Sequence, residues 1–158
     1  MKYFALADEF GYLYSFWIYQ GKTKHKELYH QNPKFNSAKT IDVVFDLCST
    51  LPKNQKHIIL TDSFYGSLDL ALKLQENNLY FLLATKVNCP TYLWKQVHQN
   101  LKIKNTFNAY WNNKKKIIAF SYYDKKIVNF LTNIGNLENI IIKQKSKPTL
   151  ITCYNKFM

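Results

Sequence analysis

Two aspartates of this chain each stand directly after a short apolar run, a position from which carboxylates often bind metal ions. Asp62 follows the run from His57 to Thr61, and Asp8 closes the run that begins at Phe4. A buried carboxylate is costly unless it is paired, protonated or bound to a cation, and its oxygens are ligands for hard metal cations. We therefore predict a metal site that includes Asp8 and Asp62. The alternative interpretation is that each aspartate only stabilises a turn, which is a frequent use of this residue.

The spacing of the apolar residues predicts the elements before Asp62. Residues 4–8 and 12–20 are typical of two strands of a hairpin, and residues 27–30 suggest a further strand. From Ile41 to Leu51 the apolar residues fall on one face of a helix, which Pro52 is expected to stop.

A parallel strand–helix–strand unit is predicted around Asp62 itself. The continuous apolar run His57–Thr61 is typical of a central strand covered on both faces. Ser67 is expected to cap the following helix, which ends near Asn77, and residues 79–84 predict the next strand. Such a unit has a right-handed crossover. Ligands bind outside the carboxyl ends of the strands in sheets of this kind, which is where Asp62 lies.

Beyond residue 85 the chain alternates between Lys- and Asn-rich segments and aromatic residues. A short helix is predicted over residues 92–101. Three short antiparallel strands are predicted over residues 107–110, 117–123 and 127–132, joined by charged turns at residues 112–116 and 124–126.

These elements together predict one α/β domain over residues 1–158, with a ribonuclease-H-like mixed sheet and flanking helices. Residues 1–85 form the core portion in this interpretation, and residues 86–158 form a small, mainly β, basic extension resembling an insertion. The apolar content of 47% excludes a disordered tail, and no apolar run is long enough to predict a membrane span.

The net charge of +12 is concentrated in the second half of the chain. Residues 80–158 hold 13 of the 22 basic residues, all of them lysine, against only Asp124 and Glu138. Lysine clusters gain affinity for phosphates by releasing condensed counterions, so this asymmetry favours a polyanionic partner. A basic surface without a partner is the alternative.

The cysteines and histidines carry no readable site. Three cysteines lie far apart without paired spacing, which predicts neither a disulfide framework nor a zinc site and is typical of a reducing compartment. Four scattered histidines are more often surface or core residues than ligands.

A series of short motifs, in order along nearly the whole chain, resembles the transposase domain of the piggyBac family and its domesticated relatives. The motifs are Ala7-Asp8, Tyr19-Gln20-Gly21-Lys22, Leu60-Thr61-Asp62-Ser63-Phe64-Tyr65-Gly66-Ser67, Ala84-Thr85-Lys86, Asn88-Cys89-Pro90 with Leu93-Trp94, and Tyr154-Asn155-Lys156-Phe157-Met158. Four positions depart from the family: Ser63 replaces asparagine, Gly66 threonine, Ala84 glycine, and Cys89 a commonly basic residue. In the family the last motif is followed by two glycines, a valine and the third catalytic aspartate. This sequence ends at Met158, before that segment.

The resemblance implies cut-and-paste DNA transposition by a magnesium-dependent triad of aspartates, with Mn²⁺ as an alternative metal and the nucleus as the location. Asp8 and Asp62 carry over as two catalytic, metal-binding aspartates. DNA is the implied partner, no membrane is involved, and the oligomeric state is left open. We assign DNA contacts to seven lysines: Lys86, Lys95, Lys114, Lys115, Lys116, Lys125 and Lys126.

The sequence is compatible with three functions. The first is a truncated transposase domain, derived from an enzyme of metal-dependent DNA strand cleavage and transfer and inactive in isolation because the third aspartate is missing. The second is a domesticated, non-catalytic DNA-binding or regulatory protein in which the acids are structural. The third is an autonomous nuclease of the same fold.

Overall fold

The structure is a computed structural model that describes residues 3–19, 40–87, 97–98, 101–135 and 149–157. Its contacts divide the chain into two compact units, residues 1–55 and residues 56–158, and each unit is described by itself. The predicted strand over residues 27–30, and the predicted helix over residues 92–101 except for residues 97–98 and 101, lie outside the described residues.

The first unit is a β-hairpin covered on one face by a helix. Strands β1 (Tyr3–Ala7) and β2 (Leu13–Ile18) are antiparallel, which confirms the predicted hairpin, and helix α1 (Thr40–Cys48) packs on both strands. The hydroxyl of Ser15 in β2 donates a hydrogen bond of 3.1 Å to the carbonyl of Leu47 in α1. The helix and the hairpin are therefore held together by a specific bond as well as by apolar contact.

The second unit is a five-stranded mixed sheet with helices packed on it. Its elements are β3 (Ile58–Thr61), α2 (Leu68–Glu76), β4 (Tyr80–Thr85), β5 (Thr106–Asn112), β6 (Ile117–Tyr123), β7 (Ile127–Thr132) and α3 (Thr149–Phe157). The strand order is β3-β4-β7-β6-β5, in which β3 and β4 are parallel and every other pair is antiparallel. The predicted mixed α/β architecture with its parallel strand–helix–strand unit is confirmed. Because β7 pairs with β4, the basic segment after residue 85 continues the sheet.

One prediction about this sheet is wrong. The run His57–Thr61 was expected to be a central strand, but within the described residues β3 is the outermost strand and pairs only with β4. Ile58 is 53% exposed, whereas all residues of β4 after Tyr80 are buried. A short apolar run cannot distinguish a central strand from an edge strand because both can carry continuous apolar residues, and here β4 occupies the interior position.

The core of the second unit lies on both faces of the sheet. On one face, Phe120 of β6 stacks on Phe130 of β7 with ring centroids 5.0 Å apart, and Ile151 of α3 joins the same cluster. Helix α2 packs on β4 and β7, and its Leu70 and Leu74 are fully buried. Each such large side chain contributes roughly 1.5–3 kcal/mol when it leaves water. No helix among the described residues is long and apolar enough to cross a membrane.

Helix α2 begins where the sequence predicts. The backbone of Ser67 is extended, and its hydroxyl oxygen accepts a 3.1 Å hydrogen bond from the amide of Leu70. The amide of Leu70 would otherwise lack an intrahelical partner, because the first four amides of any helix do. Ser67 is therefore the N-cap of the helix that follows Asp62.

We expect Ser67→Ala to lower the free energy of unfolding by about 1 kcal/mol, since alanine offers no acceptor to the Leu70 amide. Ser67→Asp is the matched control, because its carboxylate can accept the same bond and carries a charge favoured at a helix N-terminus. Urea denaturation of the three proteins measures the difference. Equal losses in both variants would contradict the capping role.

Candidate functional site

Asp62 lies at the carboxyl end of β3, directly after the last strand residue, and its side chain is exposed. Its Oδ1 accepts a 2.8 Å hydrogen bond from the amide of Phe64, and its carbonyl accepts bonds from the amides of Tyr65 and Gly66. These bonds form the turn that leads to α2. They involve only one carboxylate oxygen, so Oδ2 stays available to a ligand.

Asp8 has a similar role in the first unit, directly after β1. Its Oδ1 accepts hydrogen bonds of 2.9 Å from the amides of both Phe10 and Tyr12. The amide of Asp8 donates to the carbonyl of Tyr12, and its carbonyl accepts from the amide of Gly11. The loop of the hairpin is thus built around this aspartate, and here too the side-chain bonds use a single oxygen.

The two aspartates fit a divalent cation in their chemistry but do not complete a site. Each offers a carboxylate oxygen, the type of hard ligand that Mg²⁺ binds. Among the described residues, however, no group of three or more His, Cys, Asp or Glu side chains is close enough to hold a metal ion. Asp8 belongs to the first unit and Asp62 to the second.

Two tyrosines, Tyr65 and Tyr154, lie close enough to Asp62 for its negative charge to affect their pKa values. Burial raises the pKa of Tyr154 above its usual value, and the carboxylate of Asp62 raises it further; the pKa of Tyr65 is raised for the same two reasons. The ring of Tyr154, on α3, packs edge-on against Phe130 with centroids 5.1 Å apart, and it also packs on the core cluster that Leu60 borders. Both phenols therefore stay protonated at neutral pH and can donate hydrogen bonds beside Asp62.

Buried polar atoms without a partner occur near the same end of the sheet. The hydroxyls of Thr61 and Thr85 and the side-chain nitrogen of Asn129 are buried and make no hydrogen bond with the described residues. Thr61 immediately precedes Asp62, and Thr85 pairs with Asn129 across β4 and β7. An unpaired buried polar group costs about 1–3 kcal/mol. These three groups therefore lower the stability of the fold, and each remains able to form a hydrogen bond.

The strand pairing places several of the predicted DNA-contacting lysines at the same end as Asp62, which we call the site end of the sheet. Lys86 follows β4, which is parallel to β3, and is exposed. Lys125 and Lys126 form the exposed turn between β6 and β7, and the pairs Thr85↔Asn129 and Tyr123↔Ile127 put that turn at the site end.

The triple-lysine turn, Lys114 to Lys116, lies at the opposite end. It joins β5 to β6 after the pair Asn112↔Ile117, and the antiparallel pairing carries both strands away from the site end. The side-chain amide of Gln75, near the end of α2, donates a 2.9 Å hydrogen bond to the carbonyl of Lys115. Lys95, the remaining predicted DNA contact, lies outside the described residues.

Comparison with known proteins identifies the family and the fold. The sequence model of one protein family, described as Transposase IS4, matches residues 1–158. This chain belongs to that transposase family. Its structure is also similar to that of a piggyBac transposase, which was determined as a synaptic complex with hairpin DNA. The likeness has a TM-score of 0.68 at 19% sequence identity and covers 92% of this chain.

At that identity the structural likeness establishes the fold, which is that of a piggyBac-type transposase domain and is consistent with the predicted ribonuclease-H-like sheet. The chain covers 29% of the length of that transposase. No curated protein matches the chain.

Within this transposase domain, the structure identifies neighbours of Asp62 that sequence reasoning did not. The last motif of the resemblance was not predicted to be helical, yet its first four residues form the C-terminal part of α3, and Tyr154 lies near Asp62. Lys102 and Lys104, which precede β5, are exposed at the site end and were not among the predicted DNA contacts. The apolar spacing of Leu150, Ile151 and Tyr154 was the available signal for α3, whereas the lysine positions depend on strand order.

Gly66 is required by a close approach of the Asp62 turn to β4. A Cβ atom at this position would lie 1.7 Å from the carbonyl oxygen of Ala84 and 3.2 Å from the Cγ2 of Thr85. The first distance is far inside van der Waals contact, and the obstructing atom is backbone, which cannot rotate away. Glycine here, where the family usually has threonine, therefore has a steric reason in this chain.

We expect Gly66→Ala to destabilise the second unit by about 1–3 kcal/mol, the usual cost of overpacking. Gly135→Ala is the control in the same unit: Gly135 has a φ of +82° but no atom within 4 Å of the added Cβ, so only backbone strain of about 1–2 kcal/mol is expected. Hydrogen exchange of the β3 and β4 amides separates the two, because only Gly66→Ala should loosen that strand pair. Unchanged exchange there would contradict the steric reason.

Proposed function

We propose that this chain is part of a DNA transposase domain that performs metal-dependent strand cleavage and transfer, with Asp8 and Asp62 as metal ligands. The observation that carries the proposal is the position of Asp62 at the carboxyl end of β3, beside a parallel strand, in a chain that matches the transposase family throughout. Ligands bind at this edge of open α/β sheets.

The residues near Asp62 support its role as a metal ligand because they fix the orientation of its carboxylate. The amide of Phe64 fixes one carboxylate oxygen of Asp62, which restricts the orientation of the other. Divalent cations such as Mg²⁺ or Mn²⁺, when bound, supply charge stabilisation to the attacking and leaving oxygens of phosphoryl transfer. Tyr65 and Tyr154 remain neutral hydrogen-bond donors beside that carboxylate. The nuclear location that the resemblance implies is part of the proposal.

A second candidate function is non-catalytic DNA binding, as in a domesticated regulatory protein. The observation in its favour is that both aspartates already have a structural use, since each anchors a turn through Oδ1. In that case the basic surface would be the functional part, and the acids would serve the fold alone. Metal binding distinguishes the two functions.

The first test concerns metal binding by Asp62. We expect Mg²⁺ or Mn²⁺ to raise the melting temperature of the wild-type chain, by about 2–4 °C for each kcal/mol of binding free energy. Asp62→Asn should abolish this rise and leave the metal-free fold intact, because the amide oxygen of asparagine can still accept the bond from Phe64. Thermal denaturation with and without metal measures both quantities.

Asp124→Asn is the matched control for that experiment. Asp124 is exposed in the turn between β6 and β7, at the same end of the sheet as Asp62, so its neutralisation removes an equal charge nearby. The control should keep the full metal-induced rise. A rise that survives in Asp62→Asn would place the metal elsewhere, and no rise in the wild type would favour the non-catalytic function.

The second test concerns cleavage. The 158 residues contain two of the three aspartates that the resemblance implies, and a hard cation that holds its waters tightly binds loosely with few carboxylates. We therefore expect the isolated 158-residue polypeptide not to nick supercoiled DNA in Mg²⁺. Extending it by the family's Gly-Gly-Val-Asp continuation and its following helices should tighten metal binding, which calorimetry can measure.

The matched control for the extension replaces only its aspartate by alanine, which keeps the added length and helices. This control should bind metal no better than the 158-residue polypeptide. If the 158 residues alone nick DNA, and lose that activity in both Asp8→Ala and Asp62→Ala, two acids suffice and the chain is an autonomous nuclease.

A further inference from the structure

Five exposed lysines follow the site end of the second unit's sheet in the order of its strands. We call them the lysine edge: Lys86, Lys102, Lys104, Lys125 and Lys126. Asp62 follows β3, the first strand in this order. Lys86 follows β4, the second strand, Lys126 precedes β7, the third, and Lys125 lies in the turn that follows β6, the fourth. Lys104 and Lys102 precede β5, the outermost strand on that side. The charges are thus arranged in a line that begins at Asp62.

The length of this line suits a nucleic-acid backbone. Neighbouring strands lie about 4.8 Å apart, so the four steps from β3 to β5 span about 19 Å along the sheet end. Each strand of a DNA duplex carries one phosphate per roughly 3.4 Å of helix axis. The path from Asp62 along the lysine edge to β5 therefore spans about five or six phosphates of one DNA strand.

Backbone and side-chain hydrogen bonds hold the segments that carry the outer lysines. The amide of Asn105 donates a 2.6 Å bond to the carbonyl of Tyr123, and the hydroxyl of Tyr122 donates to the side-chain oxygen of Asn105 at 3.2 Å. Asn105 has a φ of 62°, so the chain turns sharply there before it enters β5. In the neighbouring turn, the amide of Asp124 donates to the carbonyl of Lys126. The first segment is therefore tied to β6, and the second is closed by a bond within its own turn.

The balance of charge at this end is positive. The strand ends, the turns and the first turn of α2 there carry five lysines and three acids, Asp62, Asp69 and Asp124, and none of the five lysines forms an ion pair with the described residues. Ammonium groups that lack an acidic partner keep their full attraction for phosphate. The triple-lysine turn is equally basic, but the length of the strands separates it from Asp62: β6 alone has seven residues, about 3.4 Å apart.

We propose that the lysine edge is the DNA-backbone contact of this domain, and that a DNA strand lies along the site end of the sheet from β5 to Asp62. The triple-lysine turn, at the opposite end, does not contact the same stretch of DNA. This inference rests on the proposed function, because it takes DNA as the partner and Asp62 as the reacting end. It adds Lys102 and Lys104 to the predicted contacts and sets Lys114 to Lys116 apart from them.

The test compares two variants in which the same number of charges is removed. The first replaces three residues of the lysine edge, Lys104, Lys125 and Lys126, by glutamine, and the second replaces Lys114, Lys115 and Lys116 by glutamine. A third variant, with arginine at positions 104, 125 and 126, keeps the charge of the first triple. Fluorescence anisotropy with a labelled duplex of arbitrary sequence, between about 50 and about 200 mM salt, gives the slope of log K against log salt. Circular dichroism melting checks that every variant keeps the wild-type fold.

We expect the glutamine triple on the lysine edge to flatten the slope by up to about 2.7, which is about 0.9 for each phosphate that the protein no longer neutralises. The variant with glutamine at positions 114, 115 and 116 should keep the wild-type slope. The variant with arginine at positions 104, 125 and 126 should also keep it. If the slope flattens in the variant with glutamine at positions 114, 115 and 116 but not in the variant with glutamine at positions 104, 125 and 126, the proposed interface is wrong although DNA binding stands. If the wild-type chain shows no salt-dependent DNA binding, the proposed function itself fails, and this inference fails with it.

Discussion

The parallel pairing of β3 with β4 is the constraint on which the second unit depends. A parallel pair needs a crossover, and here α2 supplies it between the end of β3 and the start of β4. The crossover begins with a turn that must pass close over the backbone of Ala84, where only a residue without Cβ fits. Asp62 closes this turn through its carbonyl and its Oδ1, and Ser67 caps the helix that follows. The pairing, the turn and the helix start are therefore one structural unit, and Asp62 is placed by it.

The structural and the chemical roles of the aspartates do not exclude each other. A carboxylate has two oxygens and about four lone-pair sites, and the turns around Asp8 and Asp62 use one oxygen of each. A carboxylate held by backbone amides has fewer rotamers to lose when it binds a cation, which lowers the entropic cost of binding. The observed turns thus fit a ligand role as well as a purely structural one, and the response to metal has to decide between them.

Much of the fold could be predicted because its signals are local. The hairpin, the helix stopped near Pro52, the cap at Ser67 and the three strands of the basic half all depend on residue type and spacing within a few positions. The position of β3 at the edge of its sheet was not predictable, since strand order depends on partners distant in sequence. Gly66 is a departure from the family whose reason the local sequence does not reveal, because the carbonyl of Ala84 lies 18 positions further along the chain. Of the candidate site, the position of Asp62 after β3 followed from the apolar run, but its proximity to Tyr154 required the tertiary structure.

The lysines show the same limit for electrostatics. Along the sequence, the excess positive charge belongs to the whole second half, and Lys114 to Lys116 are its densest run. In the sheet, an antiparallel order sends successive turns to opposite ends, so that run is separated from Asp62 while scattered lysines such as Lys86 and Lys104 line up beside it. Attraction between exposed charges fades over a Debye length of about 8–10 Å at physiological salt, which is much shorter than the strands. The local arrangement of lysines around Asp62, rather than the net charge of the chain, therefore determines what a phosphate backbone experiences at the candidate site.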